Sequence, residues 1–122
     1  MEINFEDLLL ELSRINGVTK VALIDSIKKK VACGINLDDN NGPLIQAMID
    51  IVRTNIKYTR LSSKKCFEDI LITYSNDIHL LTAFSHTNNH FIYINIVKSS
   101  NIALTRLKLN ECLSVYLNIS VI

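Results

Sequence analysis

The sequence predicts an α+β fold, an α/β sandwich in which helices pack on a five-stranded antiparallel sheet in the order α-β-β-α-β-β-β-α. Three observations carry this. Apolar residues recur at helical spacing in residues 3–15 and 43–58. Between and after them lie short, β-branched apolar runs of strand length, separated by polar turns. Helix-start signals stand at Asn41-Gly42-Pro43 and at Ser99-Ser100-Asn101.

Phe5, Leu8, Leu9, Leu12 and Ile15 form one face of the first helix, and Glu6, Asp7, Glu11 and Arg14 form the other. The acidic first turn suits the positive end of the helix dipole. Asn16-Gly17 reads as its stop, with the glycine in the left-handed C′ position. Residues 18–25 and 30–36 read as a hairpin whose turn, Ser26-Ile27-Lys28-Lys29, lacks a glycine. The polar run 38–42 then leads into a helix starting at about Pro43, a residue whose missing N–H costs nothing at a helix start. Phe67–Tyr74, Ile78–Phe84 and Phe91–Val97 follow as an antiparallel meander. In the last run Ile92, Ile94 and Ile96 alternate with Phe91, Tyr93, Asn95 and Val97, so both strand faces are apolar and both are expected to be covered. A final helix runs from about Ile102 to about Asn118.

The 43–58 helix has more apolar surface than one sheet face requires. On a wheel of about 100° per residue, Leu44, Ala47, Met48, Ile51 and Val52 form a stripe that Ile45, Ile49 and Ile56 widen to roughly 200°. The surplus is expected to meet another protein chain, with a helix sunk deep in a single core as the alternative. Gln46, Asp50, Arg53, Thr54 and Lys57 hold the polar side.

The 122 residues make one domain, 1–122, long enough to bury about two-thirds of its unfolded surface. With 48% hydrophobic residues and a formal charge of +1, the chain is too apolar for a disordered protein and too neutral for a protein that grips phosphate backbones. No nucleic acid is therefore expected as a partner. The three cysteines are few, odd in number and widely spaced, a poor disulfide framework. The acidic N-terminus is not a secretory signal, and no apolar run approaches the roughly 20 residues that span a bilayer. The reading is a cytoplasmic protein with no membrane insertion.

No catalytic constellation, metal site or cofactor motif emerges. A calcium loop starting at Asn36 would put Asn41 where glycine belongs and Ala47 where glutamate belongs. His86 and His90 have a ligand-like spacing but flank a turn and lack a cysteine pair. His79, near a strand start, reads as solvent-facing or bonded to backbone. Cys33 and Cys112 read as small core residues, and Cys66 follows Lys64-Lys65 without a paired base. Lys28-Lys29-Lys30 reads as a solvated hairpin tip. Lys57, Arg60, Lys64 and Lys65 form a basic string that would suit an acidic partner surface, or no partner at all; Arg53, Lys57 and Arg60 are the candidate partner contacts.

The helix followed by Ile15-Asn16-Gly17-Val18-Thr19-Lys20-Val21-Ala22-Leu23-Ile24-Asp25 resembles the opening of the roadblock family. That family includes dynein light chains, subunits of lysosomal GTPase scaffolds and bacterial regulators of Ras-like GTPases. The resemblance extends over the element order, a roadblock/profilin-like arrangement, and departs at the hairpin, where family members often have glycine. It implies homodimerisation through the central helix and the neighbouring meander strand. On this chain that would place Ile45, Met48, Ile49, Val52 and Ile56 near a two-fold axis, with Leu71 and Thr73 on the pairing edge. It further implies a non-catalytic module that binds and regulates a small Ras-like GTPase, or else a structural adaptor or scaffold subunit with no GTPase involved. A small-molecule sensor domain is a third reading, which the bulky apolar positions Ile70, Ile72, Leu80, Ile92, Ile94 and Ile96 disfavour.

Overall fold

The computed structural model describes residues 4–37, 41–61, 69–83 and 90–121. Their order is α1 (Phe5–Ser13), β1 (Val18–Asp25), β2 (Lys30–Ile35), α2 (Gly42–Leu61), β3 (Asp69–Thr73), β4 (Asp77–Ala83), β5 (His90–Val97) and α3 (Ile102–Val121). The strands form one sheet in the order β2-β1-β5-β4-β3, with every neighbouring pair antiparallel. The predicted α+β class and element order are those of the structure.

Residues alternate across the pleat, and the two faces hold separate cores. Val21, Leu23, Ile78, Leu80, Ile92, Ile94 and Ile96 pack under α1 and α3, against Leu8, Leu9, Leu12, Leu109 and Leu113. Ala22, Ile24, Leu81, Phe91 and Tyr93 pack under α2, against Ile45, Met48, Ile49, Val52 and Ile56. β5 is thus covered on both faces, as its apolar pattern predicts, and the cover ends at the exposed Val97. Ile70 belongs to the α2 face and Leu80, Ile92, Ile94 and Ile96 to the other, so the bulky positions are divided between two cores.

The starts of α1 and α3 are capped by side chains. Asn4 Oδ1 accepts the Asp7 N–H at 3.2 Å, and Asn101 Oδ1 accepts the Leu104 N–H at 3.1 Å. The end of α1 differs from the sequence expectation. The C-cap is Arg14, and Gly17, at φ +94, instead turns the chain into β1. Its carbonyl accepts the Val97 N–H at 2.8 Å, joining the start of β1 to the end of β5.

The hairpin forms without glycine because Asp25 and Lys29 share the task. One Asp25 carboxylate oxygen accepts the N–H groups of Ile27 and Lys28, both at 2.9 Å. Those bonds hold its carboxyl below the usual carboxylate range: the Lys28 N–H lowers it, burial opposes, and Ile27 and the nearby His90 lower it further. Lys29 takes the left-handed conformation at φ 56, and its carbonyl accepts from Gln46 Nε2 at 3.0 Å. The hairpin tip is thereby tied to the first turns of α2.

Candidate interaction surface

α2 leaves the sheet at one edge, after β2, and delivers the chain to the opposite edge, at β3. The surface of interest is the outer side of α2 together with the β3 edge. Ile45, Met48, Ile49, Val52 and Ile56, the residues expected near a two-fold axis, are between 0% and 7% exposed and face the chain's own sheet. A side chain enclosed within its own protomer has almost no area left for a partner. Burying the α2 face of the sheet takes up the central part of the apolar arc. What remains outside is its flank, the exposed Ala47 and the half-buried Leu44 and Ile51, with Tyr58 exposed nearby.

Arg53 and Lys57 are exposed, with Asp50 and Thr54, on the polar side of α2. The Arg60 side chain lies outside the described residues. So do Lys64, Lys65, Cys66, Phe67 and His86, whose predicted roles concern segments not described. His90, the other member of the histidine pair, has Nε2 3.7 Å from Asp25 Oδ2.

Among the described residues β3 is an edge strand, paired only with β4. The Tyr74 N–H donates to the Asp77 carbonyl at 2.8 Å, so the alternate residues Ile70 and Ile72 direct their backbone groups toward β4. Leu71 and Thr73 then direct theirs outward. Their side chains lie opposite Leu80 and Ile78, on the α1/α3 side of the sheet, and both are exposed. Asp69 is held by Arg106 of α3 through a bond of 2.7 Å.

Beside this edge lies a polar cluster that the sequence reading missed. His79 is 5% exposed, not solvent-facing. Its Nε2 is 3.3 Å from Asp77 Oδ2 and 3.3 Å from Asn95 Nδ2. Asn95 Nδ2 also donates to Asp77 Oδ2 at 2.9 Å and to the Tyr93 hydroxyl oxygen at 3.2 Å. One assignment satisfies most of the cluster. His79 carries its proton on Nε2 and donates it to Asp77, while Asn95 spends its two hydrogens on Asp77 and Tyr93. The buried Nδ1 is left without a hydrogen-bond partner among the described residues. The tyrosine rings flank the imidazole, Tyr74 at 4.6 Å and Tyr93 at 5.1 Å between centroids. The legible signal was the register: His79 lies between Ile72 and Asn95, two positions from the covered Leu81 and Tyr93.

Burial pushes the His79 imidazole below its ordinary 6.5, overcoming the pull of the Asp77 carboxylate, and Lys20 adds to the lowering. Burial likewise pushes the Tyr93 hydroxyl up to about 12, against the bond from Asn95. The histidine makes a pH prediction. Below 6.5 the unfolded chain takes up a proton that the folded chain resists, so stability is lost as pH falls from 7.5 to 5. Thermal melts across that range should show a falling Tm, and His79→Gln should flatten the fall. An unchanged slope would show that His79 does not titrate as its burial requires.

Among the described residues there is no group of three or more His, Cys, Asp or Glu placed to hold a metal ion. The Cys33 and Cys112 thiols are half-buried and raised above their ordinary value, chiefly by burial. No helix, over the described residues, is long and apolar enough to cross a membrane.

A five-stranded antiparallel sheet with one helix across one face and two across the other is the Roadblock/LC7 fold. The solved structures bear this out. A Roadblock/LC7 domain from Streptomyces avermitilis matches with a TM-score of 0.74 at 8% identity, over 94% of this chain and 96% of that one. MglB of Myxococcus xanthus matches with a TM-score of 0.75 at 13% identity, over 93% and 87%. The gliding protein MglB of Thermus thermophilus matches with a TM-score of 0.72 at 12% identity, over 93% and 86%. No family model and no curated protein matches the sequence itself.

Proposed function

We propose that the chain is a non-catalytic, homodimeric interaction module that binds a small Ras-like GTPase and regulates it. The β3 edge, paired only with β4 among the described residues, carries this reading, on a fold shared with roadblock domains over more than nine-tenths of the chain. An exposed strand edge is a template for a second strand. Two copies meeting there would continue one sheet into the other through the outward backbone groups of Leu71 and Thr73. The Leu44, Ala47 and Ile51 flank of α2 would close over the junction. Arg53 and Lys57, and by sequence Arg60, would remain available to an acidic GTPase surface. Of the similar structures, one is of MglB in a tetrameric arrangement, which supports self-association as a property of this fold.

The test has two arms. Thr73→Pro removes an outward N–H while sparing the ladder to β4, a place where an edge strand tolerates proline. Light scattering should show a lower mass for this variant, with an unchanged circular dichroism spectrum. The second arm is copurification of the tagged protein from its source organism, with and without a non-hydrolysable GTP analogue. A small GTPase retained only with the analogue, whose hydrolysis rate then changes on adding the protein, is the expected result. A nucleotide-indifferent set of proteins containing no GTPase would instead mark a structural adaptor.

A further inference from the structure

The α1/α3 face, opposite α2, carries an unused surface with an internal symmetry. Thr105, Leu109 and Leu113 turn toward the sheet. On the other side of α3, Leu104, Leu107 and Val115 are 47%, 54% and 61% exposed, and Lys108 and Glu111 are exposed between them. Leu104, Lys108, Glu111 and Val115 follow the i, i+4, i+7, i+11 spacing of a helix-pairing seam. Val115, Lys108 and Glu111 also border a groove of about 440 Å³ between α3 and α1, with Glu11, Ile15 and Cys112. A helix apolar on its outer as well as its inner side is expected to be covered on both.

The geometry points to a second copy of this chain as the occupant, its α3 antiparallel to the first about a two-fold axis between residues 109 and 110. In that arrangement residues at equal distances from the axis face each other. Leu104 meets Val115 of the second copy, and Lys108 meets Glu111 of the second copy. Symmetry repeats both contacts, so two apolar layers enclose two ion pairs. A parallel arrangement would set Lys108 against Lys108 and Glu111 against Glu111. Neither side chain has an ion pair within the chain among the described residues, although three positions on one helix would permit one. The pattern is self-complementary, which an isologous interface requires. The seam borders α1, whereas α3 reaches the β3 edge through Arg106 and Asp69, so the two contacts use different parts of the chain, and use of both would join four chains or more.

Charge reversal tests it on the full chain. Lys108→Glu makes both facing pairs negative, and Glu111→Lys makes both positive. Each single variant should sediment at half the mass of the wild-type protein at the same concentration, with an unchanged circular dichroism spectrum. Mixing the two variants restores an opposite charge at both pairs, so the mixture should recover the wild-type mass. An ion pair within one helix cannot be rescued by mixing. The same comparison in the Thr73→Pro background reads this interface apart from the β3 edge, so either can fail alone. A wild-type protein no heavier than Lys108→Glu, or a mixture that stays at the mass of its components, overturns the inference. Either result leaves the face to a different protein or to solvent.

Discussion

Ile49→Ala is expected to lower the unfolding free energy by about 3 kcal/mol, by the same amount at every protein concentration. Ile49 is 0% exposed within a single chain and packs in the cluster that joins α2 to Ala22, Ile24, Leu81, Phe91 and Tyr93. Truncation removes three carbons from a dense interior and leaves a cavity that α2 fills only by shifting against the sheet. Urea denaturation over a hundredfold range of protein concentration separates the two roles given to this residue. A core residue gives a constant loss. A residue at a two-fold axis gives a loss that depends on concentration, because part of its energy is that of association. The second outcome would return Ile49 to the dimer interface, against the burial found here.

Gly17→Ala should destabilise the fold by about 3 kcal/mol, from two separable causes. The backbone sits at φ +94, where a side chain is strained, and a Cβ there would overlap the Ser100 side chain. Relief is costly because Gly17 is anchored: its carbonyl holds the Val97 N–H, just ahead of the turn into α3. Adding Ser100→Gly opens the space without changing φ. The double variant should therefore recover more than half of the loss, leaving about 1 kcal/mol for the backbone. A double variant as unstable as Gly17→Ala alone would place the whole cost in the conformation. A single variant as stable as wild type would mean that this junction is not where β1, β5 and α3 are tied.

Both predictions concern places where the element is legible in the sequence and the packing around it is not. Gly17 stood out as a residue for a positive φ, and it has one. Its partner is Ser100, distant in the chain, and no local pattern names it. The stripe on α2 was equally visible. A wheel measures how wide an apolar arc is, and cannot say which part of it the sheet will take.

The alternation of Ile92, Ile94 and Ile96 with Phe91, Tyr93 and Asn95, the capping Asn101 and the spacing of Leu8, Leu9 and Leu12 are local, and they determined the elements and their order. Polar punctuation and strand-length apolar runs determined the meander in the same way. Those features act over a few residues, so they are legible without a fold. Tertiary structure decided the rest. The order β2-β1-β5-β4-β3 sends α2 across one face, which turned Ile45, Met48, Ile49, Val52 and Ile56 inward and put Leu71 and Thr73 on an edge strand. It also set His79 beside Asn95 and Asp77, three unremarkable polar residues until pairing enclosed them. The physical reason is common to all of these. Burial depends on what packs against a residue from elsewhere in the chain, and a strand or helix pattern records only that one of its sides will be covered.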